Sequence, residues 1–352
     1  MALTETSAEP GALIREWRRR RKLSQLELAE RAEVSARHLS FVENGRARPS
    51  RGLLLRLSDH LGVPVQHRST LLVAAGYAPL RPPPGRAAVL EGIGGHLPPP
   101  AGESADTCEL AVAAGRRALA SSGSVAAGAV VLATATPDAA APTAPRVAAR
   151  LGLGGVAAFD VAAVCSGFLY GLASAAGLVT SGAAERVLLV AADRAAAGAP
   201  GGAAAVVLRA GHAREAGAVG RVVLGSDGEQ DERADADASR HTAERVYAAS
   251  LEALDTAGWS ARDIDQLAAP RGDVAKVLRE VAERLCVPPE RRLPPAGDGS
   301  PTGAAAVPLL LARAAAEGAL GAGHRVLLAA FGDGLTWGAT ALRWPRVRSQ
   351  WG

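Results

Sequence analysis

Lysine is nearly absent from this chain: Lys22 and Lys276 are the only two, and arginine carries almost all the positive charge. Aromatic residues make up 3%, so the cores must be built from Ala, Val and Leu. The three cysteines, Cys108, Cys165 and Cys286, are far apart, odd in number and without metal-ligand spacing. That speaks against a disulfide framework or a cysteine-held metal, and it fits a reducing, cytoplasmic location. The first residues lack the apolar core of a signal peptide. One uncharged stretch, Val161 to Ala184, is long enough to span a bilayer. Its Ala, Gly and Ser content points instead to a buried helix, and no membrane partner is expected.

What charge there is lies unevenly. Residues 1–81 hold 14 Arg and Lys against 8 Asp and Glu, whereas the remaining 271 residues hold 25 against 27. A basic head on a near-neutral body points to a polyanion partner for the head alone. At 352 residues the chain is long enough for two or three domains, each with its own core.

Residues 11–77 read as a run of short helices. Ser24 is placed to cap Gln25 to Ala32, and Glu27 completes a capping box. Ser35 is placed to cap Ala36 to Glu43, which Asn44-Gly45 ends. Ala12–Arg21, Ser50–Leu61 and Gln66–Ala75 are apolar at helical spacing. Arg81-Pro-Pro-Pro-Gly85 reads as a stiff linker. The expected organisation is a head over 1–80, a linker over 81–87 and a body over 88–345.

In the body, short Val/Ala/Leu runs alternate with alanine-rich helices. Residues 129–136, 186–193 and 325–331 read as buried strands. Residues 107–122, 166–180, 243–257, 274–285 and 304–317 read as helices. That alternation predicts a mainly parallel, covered sheet and an α/β body. The overall class is therefore multidomain, an all-α head plus an α/β body.

The segment Leu23-Ser-Gln-Leu-Glu-Leu-Ala-Glu-Arg-Ala-Glu-Val-Ser-Ala-Arg-His-Leu-Ser-Phe-Val-Glu-Asn-Gly45 resembles the helix-turn-helix of the Cro/C1-type (XRE) family. In that motif the second helix lies in the major groove of DNA. The resemblance places Ala36, Arg37 and Phe41 at base-reading sites, and Gln25, Asn44, Arg46 and Arg48 at phosphate-contacting sites, with Ser35 at the start of the reading helix. Arg37 has the chemistry for a bidentate contact to guanine. His38 reads as a solvated face residue, and Leu28, Leu39 and Val42 as core. The implied partner is a double-stranded DNA operator, bound by a homodimer at two half-sites about one helical turn apart.

The body resembles ketoacyl-ACP synthase III over about residues 88–345, which implies a thiolase-type fold. Residues 89–98, 158–168, 302–308 and 330–338 carry the likeness. Among them Ala158-Phe-Asp-Val-Ala-Ala-Val-Cys-Ser-Gly-Phe168 matches the turn that holds the nucleophile, at Cys165. In that family a cysteine at a helix N-terminus, where thiolate is favoured, attacks an acyl thioester. A His and an Asn then assist decarboxylation of a malonyl group. Here Arg271 falls at the His site, Pro301 at the Asn site with Ser300 beside it, and Asp333 at the glycine that completes the oxyanion hole. His241 and His324 match surface sites. The chain is also shortened after Pro98–Pro100, over 194–202 and after Asp227, where the family builds the entrance that recognises its acyl carrier. Cys108 and Cys286 are expected to be buried on helices.

These departures imply a catalytically degenerate body, a pseudoenzyme without condensing activity and without a cofactor. They favour a transcriptional regulator whose body dimerises and senses an acyl thioester, either acyl-CoA or acyl-ACP. Two alternatives stand beside it. One is an acyltransferase that uses Cys165 alone, and the other is a body that serves only to dimerise the head.

Overall fold

The computed structural model describes residues 9–63, 65–77, 85–98, 105–195, 200–228, 236–270, 275–294, 303–332 and 336–352. The chain divides into two compact units, Met1–Pro83 and Pro84–Gly352.

Among its described residues the head contains five helices: α1 (Pro10–Arg20), α2 (Gln25–Arg31), α3 (Ala36–Glu43), α4 (Arg51–His60) and α5 (Val65–Ala74). Local chemistry sets their starts. The Ser24 hydroxyl accepts from the Glu27 amide at 3.1 Å, and the Glu27 carboxylate accepts from the Ser24 amide at 2.7 Å. Ser35 accepts from the His38 amide and Ser50 from the Leu53 amide. Each cap satisfies an amide that the helix leaves unpaired. Gly45, at φ 70°, takes the left-handed turn after α3. The inward faces meet in one core of Ile14, Leu28, Leu39, Val42, Leu54, Leu57, Leu61, Leu71 and Leu72. Gly11 lets α1 approach α3 closely, because a Cβ there would stand 2.2 Å from the Val42 carbonyl oxygen.

The body carries two sheets. The first orders its strands β10 (Gln350–Trp351), β1 (Arg86–His96), β5 (Gly202–His212), β4 (Arg186–Asp193), β2 (Ala129–Ala133) and β3 (Ala157–Val161). The second runs β6 (Val223–Ser226), β9 (Thr336–Arg343), β8 (Arg325–Gly332) and β7 (Gln266–Ala268). The helices are α6 (Thr107–Ser122), α7 (Ala144–Arg150), α8 (Gly167–Thr180), α9 (Ala236–Ala257), α10 (Ala275–Arg284) and α11 (Ala306–Ala316).

The two-residue strand period builds the layers. Val131, Leu189 and Val206 point to a core shared with α8, α11 and the second sheet, while Val130, Leu188 and Val207 point to α6 and α7. Leu327, Ala329 and Ala341, on the far face of the second sheet, pack under α9 and α10. The body is thus helix, sheet, helix, sheet, helix, an α/β architecture with every sheet face covered.

Some expectations need correction. The sheets are mixed rather than mainly parallel: β1 with β5, β4 with β5, β6 with β9 and β8 with β9 are antiparallel. Arg86 and Ala87 belong to β1 and not to a linker. Cys108 is buried on α6, but Cys286 is exposed just beyond α10, at φ 53°. The uncharged stretch 161–184 supplies the end of β3 and the buried helix α8. Among the described residues, no helix is long and apolar enough to cross a membrane.

Candidate functional sites: a recognition helix and a nucleophile turn

In the head, α2 and α3 are joined through Glu43, whose side chain has no exposed surface. Arg18 donates to both its carboxylate oxygens, at 2.7 and 2.9 Å, and the Gln25 side-chain amide donates to one at 2.8 Å. Arg15 donates to the Glu43 carbonyl and to the Asn44 side chain. Burial pushes the Glu43 carboxyl up, yet the hydrogen bonds from Arg18 and Gln25 outweigh it and hold the group below the ordinary glutamate value. Gln25, read from sequence as a phosphate ligand, therefore also locks the two helices together. Arg15 and Arg18 were not singled out by the sequence reading, although their three-residue spacing on α1 puts them on one face.

The other head residues separate by role. Ser35 caps α3, and Ala36 packs against the head core. Arg48 donates twice to the Ala75 carbonyl oxygen, at 3.2 and 2.8 Å, and stands 5.3 Å from the Tyr77 ring, so it closes the end of α5. Arg37, His38, Asn44 and Arg46 are exposed, and Phe41 is half-buried. Arg37 and Phe41 lie on one face of α3 with their side chains in contact.

In the body, Cys165 sits on a single 3-10 turn, Val164–Ser166, between β3 and the fourteen-residue α8. It is 7% exposed. Val164 holds φ 42°, a left-handed conformation that a β-branched residue adopts only where its surroundings force it. Those surroundings are specific. The Ser166 hydroxyl donates to the Ala163 carbonyl oxygen at 2.8 Å and accepts from Thr336 at 2.8 Å. A Cβ on Gly332 would lie 2.7 Å from that same carbonyl oxygen. A Cβ on Gly167 would meet the Ala304 methyl at 3.1 Å. The ends of β8 and β9 and the approach to α11 therefore clamp the turn that carries the cysteine.

Asp193, at the end of β4, fastens this clamp. It is 3% exposed, and one carboxylate oxygen accepts from the Ala135 amide at 2.6 Å and from the Thr134 hydroxyl at 3.3 Å. Its other oxygen accepts from the Ala305 amide at 3.1 Å. Burial raises its pKa above the ordinary aspartate value, with these hydrogen bonds opposing. The sequence reading passed over Asp193. The signal was there: an acid closing the otherwise apolar run Val187–Ala192 needs a reason to be buried.

Arg271, Pro301 and Asp333, together with Ser300, lie outside the described residues. Beside the end of β7 a cleft of about 260 Å³ opens against α10, lined by Leu267, Ala269, Pro270, Leu278, Arg279 and Leu293 among others. His241 is exposed on α9. His324 accepts from the Gly321 amide in the turn before β8, a structural duty. Among the described residues, no cluster of His, Cys, Asp or Glu is arranged to hold a metal.

Comparison with known proteins fits this architecture. The profile of the 3-oxoacyl-[acyl-carrier-protein] synthase III family matches residues 159–228, and that of its C-terminal part matches 254–344. A helix-turn-helix profile matches residues 14–67. Beta-ketoacyl-[acyl-carrier-protein] synthase III 3 of Streptomyces coelicolor is 43% identical over 281 residues, covering 68% of this chain and 84% of that protein. The Pseudomonas aeruginosa PAO1 synthase III is 42% identical over 273 residues, covering 68% and 82%. The crystal structure of a P. aeruginosa PAO1 synthase III superposes with a TM-score of 0.68 at 37% identity, covering 74% of this chain and 99% of that one. The synthase III of Aquifex aeolicus VF5 follows at 0.66 and 25%, covering 73% and 100%. The chain therefore belongs to the 3-oxoacyl-[acyl-carrier-protein] synthase III family, and it carries a helix-turn-helix domain ahead of the synthase-like body.

Proposed function

We propose that this protein is a DNA-binding transcriptional regulator whose body, derived from a synthase III, dimerises it and senses an acyl thioester. The head's geometry carries this reading. A capped recognition helix presents Arg37 and Phe41 on its surface, on a unit whose sequence is basic beside a near-neutral body. Helices of this kind enter the major groove, and the surrounding arginines neutralise phosphates. Dimerisation has a place in the body: β3 is the last strand of its sheet among the described residues, and an edge strand is able to pair with a second copy. Loss of condensing activity belongs to the same reading. Arginine at residue 271 has donors for a thioester carbonyl but cannot give up a proton as a histidine does, and Pro301 has neither a side-chain amide nor a backbone N–H to donate.

The regulator acts through Cys165. A bound or covalently attached acyl group favours one dimer arrangement, and with it one spacing of the two recognition helices. Footprinting on DNA selected by the full-length protein is expected to show paired half-sites about 34–36 Å apart, one helical turn of DNA. Protection of a single unpaired site, or of none, would count against the reading.

A second reading, an acyltransferase that moves preformed acyl groups, is favoured by one observation. Cys165 keeps its strained turn at the start of α8, where the helix dipole favours a thiolate. Transfer without decarboxylation needs neither the His nor the Asn. Steady release of CoA from an acyl-CoA, abolished in Cys165→Ala, would establish it, and a flat trace would remove it.

A further inference from the structure

The recognition helix carries one pairing that neither its cap nor its packing requires. Arg37 and Phe41 stand one turn apart on α3, and the guanidinium carbon of Arg37 lies 5.4 Å from the centroid of the Phe41 ring. The core-facing residues of the same helix are Leu39 and Val42, both buried. Arg37 is exposed and makes no ion pair among the described residues, so the ring is what holds it. The Phe41 carbonyl in turn accepts from the amides of Arg46 and Ala47, at 2.8 and 3.2 Å, which fixes the backbone under the ring.

Each partner has a distinct affinity for a base edge. A guanidinium matches the O6 and N7 acceptors of guanine, and an aromatic ring contacts the C5-methyl group of thymine. One helical turn rises about 5.4 Å, between one and two base steps of about 3.4 Å. Contact between the two side chains draws their tips onto neighbouring base pairs. Stacking also removes rotamer freedom from the arginine before DNA arrives, which lowers the cost of placing it.

We propose that Arg37 and Phe41 form one reading unit, with Arg37 on guanine O6 and N7 and Phe41 on the methyl of an adjacent thymine. Each half-site is then specified at a two-base step that contains G and T. This rests on the DNA-binding reading of the head and goes beyond it by naming what the helix reads.

The test starts from sites selected out of random DNA by the full-length protein. Deoxyuridine then replaces each thymine in turn, which removes only the methyl group. In parallel, 7-deazaguanine replaces each guanine, which removes only N7. A G next to a T is expected in each half-site, with both replacements weakening the wild-type protein at that step. Phe41→Ala becomes indifferent to deoxyuridine there, and Arg37→Ala indifferent to 7-deazaguanine. Arg37→Ala also loses roughly 5- to 150-fold discrimination at the guanine. Wild-type tolerance of both replacements at every position would overturn the proposal and leave the pair as a helix-stabilising contact. That arm needs no variant to fold. Selection of a site without a G next to a T would overturn it while leaving DNA binding intact. Recovery of no site at all would overturn the DNA-binding reading and this one together.

Discussion

At Glu43 a carboxylate without exposed surface meets a guanidinium and a side-chain amide, and the balance of burial against pairing decides the head's response to acid. Its pKa is held below the ordinary glutamate value. The stabilisation is thus present above that ordinary value and is lost as pH falls through the lowered one. Glu43→Gln is expected to cost about 3–5 kcal/mol, because it leaves Arg18 facing a buried neutral group. Hydrogen exchange of α1–α3 in the full chain reads both effects; unchanged protection in the variant would mean that the pair contributes nothing. Asp193 behaves in the opposite sense. Its pKa is raised by burial, so its contribution is complete below the ordinary aspartate value and is lost as pH rises through the raised one. Compared with Asp193→Asn, the wild-type body should lose stability over that rise, measured by thermal melting at stepped pH. Parallel curves for the two proteins would contradict the account. Asp193 could have been suspected by asking why an acid closes an apolar run, whereas Glu43 ends an amphipathic helix and gives no such signal, and the partners of both are distant in the chain.

Among the elements, the turn at Cys165 depends most on its neighbours. Gly332→Ala would drive a methyl group to 2.7 Å from the Ala163 carbonyl oxygen, and backbone there cannot yield without moving Cys165. Alkylation of Cys165 by iodoacetamide in the native protein should change several-fold in that variant, while Gly154→Ala, at an exposed turn with open space around it and no positive φ, should leave the rate unaltered. Equal rates in both variants would show that the clamp does not control the thiol. The head's helices were legible because each start is written locally: Ser24 with Glu27 and Ser35 before Ala36 are complete signals in themselves. β5 was missed because Gly202–Ala205 is glycine and alanine, residues with weak strand preference that are held in the sheet by β1 and β4. The antiparallel pairings were likewise unreadable from buried strands, whose apolar runs look the same in either direction.

For the molecule as a whole, two units with separate cores and separate chemistry share one chain. The body's family was legible in the residues around Cys165 and in the segments that flank it, because a nucleophile turn fixes residue types at fixed spacing. What the body does was not legible there, because the resemblance sets Arg271, Pro301 and Asp333 at its changed positions without saying what they do, and all three lie outside the described residues. Coupling between the units is the claim that joins the account. Titrating a selected operator with the full-length protein, by fluorescence anisotropy with and without a series of acyl-CoAs, measures that coupling directly. The account predicts that at least one acyl-CoA shifts the affinity by roughly 5- to 150-fold, and that Cys165→Ser alters the shift. One affinity across the whole series, accompanied by steady Cys165-dependent release of CoA, would contradict it and leave an enzyme tethered to DNA.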